Sequence, residues 1–277
     1  MINGINKLFQ EKKKDILSIY FTAGFPKLND TKTIINELAA NGVDMVEIGM
    51  PFSDPLADGP TIQRSSEKAL ENGMTIKLLL KQIENFRNET SGIPLILMGY
   101  LNPVLQYGIE KFCKDASDRG IDGVIIPDLP LQEYLDEYKS TFEKYNLKNI
   151  FLITPQTSEN RIRLIDENSD GFIYLVSSSS TTGGINAIGV DQENYFKRIK
   201  GMKLKNPTMI GFGISDNKTF TKACEYANGA IIGSAFIKVI NESKDLKKDI
   251  EVFVGGIRNS QKHTAGPSQE GIAPPNI

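Results

Sequence analysis

Eight short β-branched apolar runs alternate with longer segments of helical period, and a turn signal separates nearly every pair. This alternation predicts an α/β fold, and eight units in about 250 residues predict a (β/α)8 TIM barrel rather than a doubly wound sheet, which usually has fewer strands and a switch point. A shared entry signal supports a repeated βα unit: Gly42-Val-Asp-Met, Gly120-Ile-Asp-Gly, Ser169-Asp-Gly and Asn228-Gly-Ala each precede an apolar run. The expected organisation is a single barrel domain with extra helices over residues 1–257, followed by a flexible tail over 258–277.

The elements follow in order. Strand one is read at Ile16 to Thr22. A helix over Asp30 to Ala40 follows, with Asp30 as N-cap, with Ile34, Ile35, Leu38 and Ala39 at helical spacing, and with Asn41-Gly42 as the stop. Strand two, Met45 to Ile48, leads to helices at Thr61 to Glu71 and, as an extra element, Thr75 to Phe86. Strand three (Leu95 to Met98) precedes a helix at Ile109 to Arg119, and strand four (Gly123 to Ile126) one at Leu131 to Tyr145. Strand five (Ile150 to Thr154) precedes Ser158 to Asn168, and strand six (Phe172 to Val176) precedes Gln192 to Lys200. Strand seven (Thr208 to Gly211) precedes Lys218 to Ala227, and strand eight (Ala230 to Ile232) opens a short helix at Ala235 to Ile240. From Arg258 the sequence loses all periodicity and becomes rich in Gly, Pro, Ser and Gln, which reads as a disordered tail.

Composition narrows the chemistry. Of the 277 residues, 40% are hydrophobic and 24% charged, which excludes wholesale disorder. The net charge of −2 offers no basic surplus, so no nucleic-acid partner is expected. Cys113 and Cys224 show neither C-x-x-C spacing nor a metal-ligand cluster, which fits a reduced, cytoplasmic chain. The single histidine, His263, lies in the tail, so Ser-His-Asp triads, His-ligated zinc and His general bases lose their central residue. No apolar run approaches the roughly 18 residues needed to span a bilayer, and the N-terminus lacks a signal-peptide core, so no membrane association is expected.

In such a barrel the site is built from loops at the C-terminal strand ends. The segment from Gly49 to Pro60 is far longer than a βα loop requires and carries three prolines and two aspartates. Glu47 lies just before it, on the same strand face as Met45 and Gly49. Facing inward, its carboxylate would sit among apolar neighbours that raise its pKa toward general acid–base work. A salt-bridged structural role is the alternative, and spacing leaves both open. Asp54 and Asp58 read equally as turn formers, and nothing else supports a Mg²⁺ pair.

The last three loops are glycine-rich: Thr182-Gly183-Gly184, Gly211-Phe212-Gly213, and Gly233-Ser234 opening a helix. Together they suggest a phosphate site, since backbone N–H groups can approach a ligand there and a helix start adds partial positive charge. Neither nucleotide-binding glycine motif is present. The run Ser177 to Ser180 reads as a mobile lid or as low-complexity filler, and no lysine falls at a strand end to serve a Schiff-base aldolase.

These residues carry a resemblance. Tyr20-Phe-Thr-Ala-Gly-Phe-Pro26, the eighteen residues from Val46 to Gln63, Met98-Gly-Tyr-Leu-Asn-Pro103, Pro127-Asp-Leu-Pro130, Gly211-Phe-Gly-Ile-Ser215 and Gly233-Ser234 are similar to motifs of the tryptophan synthase alpha-subunit family, over about residues 1 to 255. The resemblance implies a lyase of tryptophan biosynthesis that cleaves indole-3-glycerol phosphate by a retro-aldol reaction to indole and glyceraldehyde 3-phosphate. It implies Glu47 as proton donor and later base, and Asp58 as the contact to the indole N–H. Gly183, Gly211, Gly213, Gly233 and Ser234 would cradle the phosphate, with Tyr20, Tyr100, Tyr174 and Phe212 around the indole. Ser178 and Ser180 stand where bacterial relatives often carry an Arg and a Gly, and Ser66 where they place an Asn contact.

No metal or organic cofactor is expected in this chain. A beta subunit using pyridoxal phosphate would receive the indole in an alpha2-beta2 tetramer, against the long loop and the Asn102-Pro103 region. The alternatives are a stand-alone lyase and a non-catalytic activating partner, and retention of both Glu47 and Asp58 argues against the latter.

Overall fold

Strand pairing closes the sheet on itself. The computed structural model describes residues 2–84, 92–176, 190–211 and 213–258. Its strands are β1 (Ile16–Thr22), β2 (Met45–Gly49), β3 (Leu95–Met98), β4 (Gly123–Ile125), β5 (Lys148–Ile153), β6 (Ile173–Val176), β7 (Thr208–Gly211) and β8 (Gly229–Ile232). All eight lie in sequence order, each parallel to the next, and β8 returns to β1 from Ile16↔Gly229 to Ile19↔Ile232. A doubly wound sheet would leave two open edges, so this closing register identifies the barrel. Closure is tight at Gly229, where a Cβ would fall 2.0 Å from the Ile16 carbonyl oxygen.

Every residue of β1, β2, β4, β7 and β8 is buried. One face of each strand fills the lumen and the other meets the helices, which explains near-continuous apolar runs in place of alternation. The helices bury single stripes, such as Ile34, Ile35 and Leu38 on Thr31–Ala40 and Phe236, Ile237 and Ile240 on Ser234–Glu242.

Several boundaries and three helices differ from expectation. Asp30 precedes the helix Thr31–Ala40 but makes no capping bond, because its backbone is already helical and its carboxylate turns back to Lys27 N–H. The extra helix is shorter, Ile76–Gln82, with the Thr75 hydroxyl accepting from Leu78 N–H as its cap, and residue 86 lies outside the described residues. The stretch from Leu131 is interrupted by a π-helical turn at Tyr134–Tyr138, a one-residue widening that side-chain periodicity does not reveal.

Helices at Gly4–Glu11, Leu101–Tyr107 and Leu246–Arg258 were not expected. The first buries only Ile5 and Phe9, too few for a visible stripe. It closes the N-terminal mouth of the barrel: Ile5 fills space left by Gly123 and Gly171, and the Phe9 ring lies 5.8 Å from Phe172. The last helix buries Ile250, Val254 and Ile257, a helical repeat partly hidden by Gly255-Gly256.

Arg258 corrects the domain boundary. Expected as the first tail residue, it ends this helix, and its guanidinium donates to Asp15 O, Gly42 O and the Asp44 carboxylate. The rest of the expected tail, residues 259–277, lies outside the described residues.

Candidate active site

Strand alternation and pairing place the first carboxylate. Ser18, Tyr20 and Thr22 share one face of β1, and Tyr20 pairs in register with Glu47 on β2. Glu47 points inward and is fully buried. Ser18 Oγ donates to its Oε1 at 2.8 Å, while Oε2 is buried with no partner among the described residues. No lysine or arginine pairs with it among the described residues, so the structural salt-bridge alternative finds no support. Burial pushes the carboxyl up to about 8, and the Ser18 hydrogen bond opposes it. Glu47 is therefore protonated at neutral pH.

Two glycines make room for the phenols beside it. A Cβ on Gly49 would lie 2.2 Å from Tyr20 Oη, and one on Gly211 would lie 2.0 Å from Tyr174 Oη. Both tyrosines are held far above their ordinary pKa, first by burial and then by nearby carboxylates including Glu47 and Asp58. They remain neutral.

The long loop after β2 presents the second carboxylate. Tyr100 Oη donates to Asp58 Oδ2 at 2.9 Å and accepts from Ala57 N–H at 3.0 Å, so one hydroxyl ties the loop to the strand-three side. The rings of Phe52 and Tyr100 lie 5.2 Å apart. Burial raises Asp58 to about 6, with the Tyr100 bond opposing, so at neutral pH it is mostly ionised. Asp54 is exposed; among the described residues its carboxylate accepts from its neighbour Ser53 Oγ and its carbonyl from Leu56 N–H, which leaves it the turn role. No group of three or more His, Cys, Asp or Glu side chains suited to a metal ion occurs among the described residues.

A cavity of about 490 Å³ opens at this end of the barrel. Tyr20, Asp58 and Tyr174 line one part of it; Gly213, Gly233 and Ser234 line another. Gly213 has φ +77, a backbone region where a side chain is strained. Gly233 precedes the helix Ser234–Glu242 and supplies no side-chain cap, so the first backbone N–H groups of that helix are available to an anion.

Of the expected site residues among those described, Glu47, Tyr100 and Gly211 do not line the cavity: Glu47 is buried beside the lining residue Tyr20, its register partner, Tyr100 holds Asp58, and Gly211 accommodates Tyr174. Thr182, Gly183 and Phe212 lie outside the described residues, as do Ser178 and Ser180. Ser66 is buried within the helix Pro60–Glu71.

The sequence reading missed Ser18, the apolar wall of Ile62, Met98 and Ile231, and Lys238 at the cavity edge. Lys238 had a signal, one helical turn beyond Ser234 on the same face. Ser18 had none, because a serine on a buried strand announces no partner.

A family model described as Tryptophan synthase alpha chain matches residues 6–263. A tryptophan synthase alpha chain from Flavobacterium johnsoniae is 61% identical over 93% of this chain and 100% of that relative, and one from Flavobacterium psychrophilum is 63% identical over 87% and 95%. Among solved structures, the tryptophan synthase alpha chain from Legionella pneumophila subsp. pneumophila superposes with a TM-score of 0.85 at 32% identity, covering 96% of this chain and 100% of that one.

Proposed function

Since the chain belongs to the tryptophan synthase alpha chain family, we propose that Glu47 is its catalytic acid and base and Asp58 the acceptor for the substrate's indole N–H. The reaction is retro-aldol cleavage of indole-3-glycerol phosphate to indole and glyceraldehyde 3-phosphate, and the indole goes to a beta subunit that makes L-tryptophan. Pyridoxal phosphate belongs to that beta subunit, and this chain carries no cofactor of its own.

The observation that carries the residue assignment is the Oε2 of a fully buried, neutral Glu47 carboxyl, which has no partner among the described residues. Cleaving the bond between indole C3 and the glycerol chain requires somewhere for its electrons to go. Protonation of C3 converts the ring to an indolenine cation that accepts them. Glu47 delivers that proton, and ionised Asp58 stabilises the charge developing on the ring N–H. The resulting Glu47 carboxylate removes the proton of the adjacent chain hydroxyl. The C–C bond then breaks, the aldehyde forms, indole regains its aromaticity, and Glu47 ends protonated as it began. The two carboxyls hold opposite protonation states at one pH because their burial differs.

The phosphate is assigned to Gly213, Gly233, Ser234 and the start of the helix Ser234–Glu242, together with Gly183. Tyr20, Tyr174 and Phe212 are assigned to the indole, with Tyr100 acting through Asp58 and Gly211 through Tyr174. For the partner contact, Leu56 in the long loop is 86% exposed and Asn102 is also exposed, which supports a beta-subunit interface there in an alpha2-beta2 assembly. A cytoplasmic location fits Cys113 and Cys224, both free.

The test is to incubate the purified chain with indole-3-glycerol phosphate, with and without a beta subunit, and measure indole. Weak release alone and strong release with the partner is the expected result. Full activity alone would favour a stand-alone lyase, and no indole under either condition would favour a non-catalytic partner.

A further inference from the structure

We propose that Ser18 is a positioning residue for the Glu47 acid, fixing which carboxyl oxygen carries the proton. This rests on the reading of Glu47 as the acid and goes beyond it. Ser18 and Glu47 are both fully buried, on adjacent strands of the lumen wall. Their 2.8 Å hydrogen bond is the only one at either carboxyl oxygen among the described residues.

A serine hydroxyl has one proton to donate, and here it is directed at Oε1. An oxygen that already accepts a hydrogen bond is the poorer place for the carboxyl's own proton, so that proton is left on Oε2. Oε2 is the oxygen without a partner among the described residues. After proton transfer, the same serine remains bonded to Oε1 of the carboxylate, and Oε2 becomes the basic atom that retrieves a proton from the chain hydroxyl. One buried hydroxyl therefore serves both halves of the cycle without moving.

The groups facing Glu47 do not duplicate this role. Tyr20 of β1 shares its weak bond with Thr22, at 3.4 Å. Tyr100 donates to Asp58, and Asp58 is a carboxyl that cannot donate once ionised. Tyr174 of β6 is a neutral phenol whose own proton is held by burial and by the neighbouring carboxylates. The neutral phenols do not titrate in the working range, and Asp58 titrates on its acid side.

The test compares Ser18→Thr with Ser18→Val, two side chains of one shape that differ in the hydroxyl, so packing effects cancel. In complex with a beta subunit, the pH profile of the alpha reaction is measured for both. Because the Ser18 bond favours the ionised carboxyl, its loss should move the alkaline limb upward by about one pH unit and lower plateau kcat about tenfold, while KM changes little. Ser18→Thr should restore both. A second readout independent of turnover is the infrared carbonyl band of the buried protonated carboxyl, which should persist to higher pH in Ser18→Val.

Coincident limbs and bands in the two variants, with Glu47→Gln inactive, would overturn the Ser18 role alone. Near-normal turnover by folded Glu47→Gln would instead overturn the reading of Glu47 on which it rests.

Discussion

The two mouths of the barrel use carboxylates in opposite ways. At the N-terminal mouth, Asp122 accepts from the backbone N–H groups of Gly4 and Leu95, and Asp44 accepts from Leu17 N–H, Lys12 and Arg258. Nearby, Asp166 accepts from the N–H groups of Lys205 and Asn206. These carboxylates join segments distant in sequence, and donors surround their charge. At the C-terminal mouth, among the described residues, Glu47 has one donor and an oxygen without a partner, and the Asp58 carboxyl has one tyrosine. Carboxylates surrounded by donors hold the fold; the under-satisfied buried pair have raised proton affinities and are available for chemistry.

The largest test of this contrast is Glu47→Gln. It keeps the shape and removes the proton, so kcat of the alpha reaction should fall by about 10²- to 10⁴-fold with little change in substrate binding. Stability should move the other way at high pH. The folded-state pKa of Glu47, about 8, exceeds its ordinary 4.5, so the folded protein retains a proton that the unfolded chain has released. Its contribution is therefore lost as pH rises from about 4.5 through 8. Glu47→Gln should melt above the wild type at pH 9, with the gap shrinking toward pH 5. Thermal melts showing a deficit at pH 9 would place Glu47 with the structural carboxylates.

A smaller effect sharpens the pairing of Glu47 with Asp58. With Asp58 near 6 and Glu47 near 8, the alpha reaction should be bell-shaped in pH, falling below about 6 as Asp58 gains a proton and above about 8 as Glu47 loses one. Asp58→Asn should abolish the acid limb and lower kcat/KM by about 10- to 100-fold. An acid limb that survives the substitution would detach Asp58 from the chemistry.

The opposite mouth gives the reverse outcome. Asp122→Ala strands two backbone donors at a site only 2% exposed, so unfolding free energy should drop by about 2–4 kcal/mol. Turnover per folded molecule should be unchanged, and denaturant titration alongside active-site assays would separate the two.

The smallest expected effect is at Gly233. Its φ of −116 suits any residue, and the nearest atoms to a Cβ would be those of the Tyr20 side chain at 3.4–3.7 Å, ordinary contact. Gly233→Ala should therefore raise KM less than about threefold, whereas Gly233→Val, whose branch projects into the cavity, should raise it at least about tenfold. Equal KM for both variants would show that the phosphate lies elsewhere.

Local periodicity sufficed to find all eight strands, because alternating turn signals and apolar runs are encoded within a few neighbouring residues. The long loop after β2 and the glycine-opened helix at Ser234 were legible for the same reason, as departures from what a connection needs. Tertiary structure alone decided closure, since the Ile16↔Gly229 pairing joins the first strand in the sequence to the last. It also decided which face of β2 is the lumen, which separates a buried acid from a structural salt-bridge partner on one and the same strand. By spacing alone Asp54 and Asp58 are equivalent and only the resemblance favoured Asp58; in space, the Tyr100 hydroxyl, 42 positions beyond Asp58, and the cavity wall distinguish them. Ser18 and the helix Gly4–Glu11 were invisible because their roles depend on Glu47 and on Gly123, Gly171 and Phe172, contacts that chain neighbours do not specify. A carboxyl's proton affinity is set by what surrounds it in space, and that surrounding exists only once the barrel has closed.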